Sequence, residues 1–217
     1  MTEVIEGMYT DDHDQTNYKL LVNNEIVSLG DIVIDVGACN GTYVHMFHQL
    51  LGATGEIHAI EIMPQNFEFL ELMFGHLKNV FFYNVAASDK EGTEPVYIQG
   101  DFGEGNPETC GIINTGGTHV GDVSSAKLDT MFANKSEISL IKIDVEGAEL
   151  KVLRGMTELL KRTKTVLIEC HFDEDWDEIK KILIEENGFK CYNIAKREQI
   201  INSSPRAYQC LCVRDKE

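Results

Sequence analysis

Residues 32–43 read IVIDVGACNGTY. Ile32, Val33, Ile34 and Val36 are β-branched and do not alternate with polar residues, which marks a strand buried on both faces, as in a parallel sheet covered by helices. Gly37 and Gly41 bracket a turn, and a helical pattern follows. A strand-to-helix turn of this kind lets backbone approach a ligand closely, and the first N–H groups of the helix face outward. Asp35 stands just before the turn.

The same rhythm recurs along the chain. Strand-like runs appear at EIHAIE (56–61), VFFYNV (80–85), SLIKI (139–143) and TVLIE (165–169). Between them, Pro64 suits a helix start, and Phe67, Leu70, Phe74 and Leu77 follow at spacings of three and four. Leu150, Leu153, Met156 and Leu160 form a second stripe, and Trp176, Ile179 and Leu183 a third that ends at Gly188. Strands alternating with helices imply an α/β fold with a mostly parallel sheet. GFKCYNIAK (188–196) and AYQCLCVRD (207–215) leave no room for a crossover helix, so they are expected to pair antiparallel.

Composition narrows the class. At 217 residues and 43% hydrophobic content, the chain fits a single domain, 1–217, with a short N-terminal segment, 1–14. The formal charge is −17, from 36 acids against 19 bases, which argues against a nucleic-acid partner and for a small substrate or a cationic cofactor. The first basic residue is Lys19, so no secretory leader is expected, and no apolar run reaches membrane-spanning length. Six cysteines without CxxC spacing read as reduced thiols of a cytoplasmic protein, with Cys210 and Cys212 on one strand face in the core. Residues 100–121 hold seven of the 18 glycines and almost no hydrophobic pattern, so they are expected to stay out of the core and to form a loop acting as a substrate lid.

The glycine turn lacks the middle glycine of a dinucleotide fingerprint, where Cys39 stands, and no GK[ST] follows for a phosphate loop. Glu61, 20 residues after Gly41, ends the second strand, where an acid accepts the hydroxyls of a ribose. NVAASD (84–89) ends the third strand in small residues that suit an adenine ring.

Taken in order, DVGACNG, AIE, NVAASDKEG, LDTM and IKIDVEGAELKVLRG resemble the FkbM family of S-adenosylmethionine-dependent methyltransferases over residues ~30 to ~172. The resemblance implies a Rossmann-like class I methyltransferase fold, with a seven-stranded sheet, helices on both faces and a reversed last strand. It implies S-adenosylmethionine as cofactor, with Asp35, Gly37, Ala38, Asn40 and Gly41 in the cofactor loop, Glu61 on the ribose, Ala86 beside the adenine and Asp144 near the methionine amino group and the reacting methyl. It also implies a hydroxyl-bearing small molecule or sugar as acceptor, methylated by in-line displacement.

For such an acceptor, Asp144, Glu146 and His171 are the candidate catalytic bases. Glu146 and Glu149 are expected in the first turn of the helix after the fourth strand, where its positive end stabilises them. Asp144, Glu169 and Asp173 form no dense oxygen cluster in the sequence, and no metal is expected. Two competing readings are a catalytically idle cofactor-binding subunit, disfavoured because the glycine turn, Glu61 and Asp144 are all present, and an NAD-dependent oxidoreductase, disfavoured by the missing glycine and the terminal hairpin. Oligomeric state is open.

Overall fold

The computed structural model describes residues 12–23, 25–98 and 109–214. Residues 1–11 of the N-terminal segment and 99–108 of the glycine-rich stretch lie outside the described residues. Its centre is an eight-stranded sheet built from β1 (Ile32–Val36), β2 (Glu56–Ile60), β3 (Val80–Tyr83), β8 (Ile138–Ile143), β9 (Thr163–Glu169), β10 (Lys190–Asn193), β11 (Glu198–Ile200) and β12 (Gln209–Val213), in the order β11-β10-β12-β9-β8-β1-β2-β3. Pairing is parallel from β9 to β3, and β12 runs antiparallel to both β9 and β10. The seven expected strands are therefore present with the reversed terminal strand, and β11 adds a short edge beyond them.

Alternate residues of the central strands feed two cores. Ile34, Val36, Ile141, Ile143, Val166 and Ile168 join one apolar cluster, while Val33, Leu140, Leu167 and Leu211 join the other. This is why these strands read as unbroken apolar runs: both pleat faces are covered. The second cluster is closed by α1 (Asp12–Asn23), through Leu21, and by α2 (Thr42–Leu51) and α3 (Pro64–Phe74). The first is closed by α4 (Leu128–Met131), α5 (Glu149–Arg154), α6 (Thr157–Leu160) and α7 (Trp176–Lys180), with a π-helical turn at Lys181–Glu186. Residues 12–14 of the N-terminal segment are helical, as the start of α1. Among the described residues no helix is long and apolar enough to cross a membrane.

The stripe from Leu150 to Leu160 is two helices rather than one. At the break, a Cβ on Gly155 would lie 2.0 Å from the Ser88 carbonyl oxygen, so the chain turns there to let another segment pass. Glu146 is not in a helical first turn either, since it has φ 54 in the loop before α5.

A second, four-stranded sheet was not legible in the sequence. β4 (Ala86–Ala87), β5 (Gly92–Ile98), β6 (Cys110–Gly111) and β7 (Thr118–Ala126) form it in the order β4-β7-β5-β6. β5 carries Pro95, β7 carries Gly121, Ser124 and Ser125, and each buries only two residues, so neither shows a clear strand pattern. Cys110, Ile112, Val96 and Val123 are buried in a small cluster with Met63 and Ala148, which corrects the expectation that residues 100–121 contribute nothing to a core. This cluster ties the second sheet to the carboxyl-edge loops of the first.

The cysteine reading also needs correction. Antiparallel pairing of β10 with β12 sets Cys191 directly opposite Cys212, and the two form a disulfide. Cys39, Cys110, Cys170 and Cys210 are not disulfide-bonded.

Candidate active site

The carboxyl ends of β1, β2 and β8 converge on a cleft of about 570 Å³, part of it open to solvent. Gly37, Cys39, Glu61, Asn66, Ala86, Asp144 and Glu146 line it, together with apolar Ile62, Val85 and Ile112. It lies where open α/β sheets bind their ligands.

The turn after β1 is built for close packing. Gly37 has φ 85, and a Cβ there would lie 1.8 Å from the Asp144 carbonyl oxygen, so only glycine fits between β1 and β8. The N–H groups of Gly37 and Ala38 both donate to the Ile60 carbonyl at 3.0 Å, and that of Gly41 donates to Ala38 at 2.8 Å. The Asn40 side chain accepts from the Thr42 N–H and hydroxyl at 3.1 and 2.8 Å. The amides of Gly37, Ala38, Gly41 and Thr42 are thus spent inside the loop. Ala38 packs in the core, Asn40 is exposed, and Gly41 abuts Leu70 and Phe74; the three shape the loop without lining the cleft.

Glu61 is buried at the cleft wall, held by two backbone donors: Cys39 N–H to Oε2 and Met63 N–H to Oε1, each at 2.8 Å. Burial raises its pKa, with these two donors working against the shift. The Asn66 side chain also hydrogen-bonds it and works in the same direction as the two backbone donors. Asn84, beyond β3, fixes the same corner by donating to the carbonyls of Glu61 and Ile62.

Asp35 lies below the turn, fully buried. Register in the parallel pair sets it directly opposite Lys142, whose Nζ lies 3.4 Å from Asp35 Oδ1 and 3.4 Å from Asp144 Oδ2, and donates to the Gly37 carbonyl at 2.9 Å. Although the Lys142 charge is close, neither oxygen of Asp35 has a hydrogen-bond partner among the described residues. Burial pushes the Asp35 pKa up to about 6, against the pull of Lys142. Lys142 was missed in the sequence because a single lysine in an apolar strand has no partner until the register is known.

On the other side of Asp144, His171 joins four carboxylates. Its Nδ1 lies 2.8 Å from Glu149 Oε1, while Nε2 is 3.5 Å from Glu146, 3.5 Å from Glu169 and 4.0 Å from Asp144. Burial alone would lower the His171 pKa, but Glu149 and the surrounding acids overcome it and raise it to about 9. At neutral pH the ring is a cation that serves as counter-ion to the acids. That fits an ion-pair cluster better than a free base.

Glu149 is buried, and its Oε1 also accepts the N–H groups of Val145 and Gly147 at 3.3 and 3.1 Å, so it anchors the DVEG turn. It stands in the first turn of α5, as expected, and its contacts to the turn amides and to His171 add to helix-end electrostatics. Glu146 faces the cleft with its pKa raised by burial, offset in part by His171. Asp173 turns away, exposed and paired with Arg206 at 2.8 Å. His119 is exposed in β7 and pairs with Asp122, and His13 falls in α1. Cys110 lines the cleft, and burial pushes its thiol far up, so it stays protonated.

The cleft can be set beside known proteins. Residues 35–191 match the FkbM methyltransferase domain. Over 47 residues the chain is 43% identical to the hexuronic acid methyltransferase AglP of Haloferax volcanii, a stretch that is 22% of this chain and 20% of that protein. An FkbM methyltransferase from Methylobacillus flagellatus superposes with a TM-score of 0.57 at 15% identity, covering 87% of this chain and 44% of that one. An S-adenosylmethionine-dependent O-methyltransferase from Thermotoga maritima gives 0.51 at 14% identity, covering 93% and 66%. A putative rRNA methylase from Clostridium thermocellum gives 0.56 at 8% identity, covering 94% and 95%. At such identities the structural likeness shows the fold alone, that of class I methyltransferases. The chain spans a fifth of the length of the curated relative and less than half of the FkbM structure. The domain match takes in well over half of this sequence, and the chain belongs to the FkbM methyltransferase family.

Proposed function

We propose that the chain is an S-adenosylmethionine-dependent O-methyltransferase acting on a hydroxyl of a small molecule or sugar. The observation that carries this reading is Glu61, held by two backbone donors at the wall of a cleft whose facing side is apolar. The residues present fit the cofactor. Glu61 would take the ribose hydroxyls, Ile62, Val85 and Ala86 would border the adenine, and Asp144, with Asp35 buried behind it, would meet the amino-acid end. The sugar acceptor draws on the hexuronic acid named for the curated relative.

When bound, S-adenosylmethionine supplies a methyl made electrophilic by its sulfonium. The chain's own work is to align a nucleophile and exclude water, a contribution of about 7 to 11 kcal/mol where alignment is good. The acceptor proton is assigned to Glu146: it lines the cleft, its pKa is raised, and it sits 3.5 Å from a cationic His171 that stabilises its charged form. His171, protonated at neutral pH, is a poor base in this setting. It holds the acids in place.

Calorimetric titration with S-adenosylhomocysteine tests the reading, beside Glu61→Ala and with NAD as control. Saturable binding that Glu61→Ala weakens by about tenfold or more, near 1.4 kcal/mol, is expected. A folded protein that binds NAD and not S-adenosylhomocysteine would sink it.

A further inference from the structure

Lys142 sits where four parts of the fold meet. Its ammonium donates to the Gly37 carbonyl at 2.9 Å, lies 3.4 Å from both Asp35 and Asp144, and rests 4.8 Å from the centre of the Tyr43 ring in α2. The Tyr43 hydroxyl in turn accepts from Asn17 of α1 at 2.7 Å. With 6% of its surface exposed, Lys142 has given up nearly all contact with water. A buried ammonium is retained at such a cost only where it is well paired.

The pairing here is lopsided. Asp35, Asp144, Glu146, Glu149 and Glu169 share two cations, Lys142 and His171. At the Gly37–Asp144 junction the lysine binds one carbonyl and two carboxylates; Asp35 is shut away from the cleft, while Gly37 and Asp144 line it. A structural ion pair alone would need only the buried acid. This arrangement also fixes an acid and a carbonyl at the cleft and leaves negative charge over, which suits a second cation arriving there.

We propose that Lys142 is a positioning residue for the amino-acid end of S-adenosylmethionine. Anchored on the buried Asp35, it sets Asp144 beside the Gly37 carbonyl so that together they receive the α-ammonium. The assignment rests on the cofactor reading above and goes beyond it, because it separates recognition of the two ends of the cofactor. Glu61 governs the nucleoside end, and Lys142 acts through Asp144 and the Gly37 carbonyl on the other.

The test is a ratio of affinities for two probes, S-adenosylhomocysteine and 5′-methylthioadenosine, which shares the nucleoside and thioether but lacks the amino-acid group. Both are titrated into wild type, Lys142→Met, Lys142→Gln and Glu61→Ala, with thermal melts to establish folding. Lys142→Gln keeps an amide donor near Gly37 and loses the charge, so it carries the comparison if Lys142→Met does not fold. The expected result is that the lysine variants lose about tenfold or more on S-adenosylhomocysteine and less than about threefold on 5′-methylthioadenosine, while Glu61→Ala weakens both. Equal losses on both probes would reduce Lys142 to a fold-stabilising residue and overturn the proposal, as would an unchanged affinity for S-adenosylhomocysteine. Wild type that binds neither probe would overturn the cofactor reading itself, and this assignment with it.

Discussion

His171 and Glu146 are both candidate bases by sequence position, but their surroundings differ. The imidazole pKa rises to about 9 because four carboxylates face it, so its charge is present in the folded protein where an unfolded histidine would already be neutral. A raised histidine pKa contributes stability that is fully present below about pH 6.5 and is lost as pH rises through about 9. Thermal melts of wild type against His171→Gln should therefore differ most near pH 6 and converge above about pH 9.5. A difference that grows with pH would contradict the counter-ion role. Glu146, in a left-handed backbone conformation that side chains seldom adopt, is held toward the cleft at a conformational cost. Replacement by Gln should lower kcat by about 10² to 10⁴-fold with KM little changed, once an acceptor is in hand. A rise in KM alone would assign it to binding.

The elements that position these residues depend on a few close approaches. Gly37 is the tightest, combining φ 85 with a Cβ position 1.8 Å from the Asp144 carbonyl. Gly37→Ala must pry β1 from β8 and should cost about 3 kcal/mol or more, read as a fall in the urea midpoint at unchanged slope. An alanine variant as stable as wild type would mean that the turn is looser than described here. The two short helices α5 and α6 show the limit of periodicity. Leu150, Leu153, Met156 and Leu160 keep helical spacing across a break at Gly155, because both pieces face the same core while the backbone between them yields to Ser88. The second sheet was hidden for a different reason. Its strands rest one face on a small cluster and leave much of the rest in water, so no apolar run announces them.

At the scale of the molecule, the β10–β12 pairing brings together two cysteines 21 residues apart. Alkylation of the denatured, unreduced protein should add four labels, and six after reduction, with Cys191 and Cys212 the late pair. Six labels without reduction would restore the all-thiol reading of the sequence. The main sheet was legible because strands covered on both faces must be continuously apolar, and because IVIDVGACNG and IKIDVEGAEL each end such a run in glycine and acid. Those patterns alone determined the fold class and the carboxyl edge as the place for a cleft, and they pointed to Glu61 and Asp144, which line it. Register was beyond them. That Asp35 stands opposite Lys142, that Glu149 reaches back to His171 and the DVEG turn, and that residues 110–126 form part of a second sheet are outcomes of pairing between distant segments. A one-dimensional pattern shows which residues seek the interior. Only the packed structure decides which charges they meet there, because strand order and register set those distances.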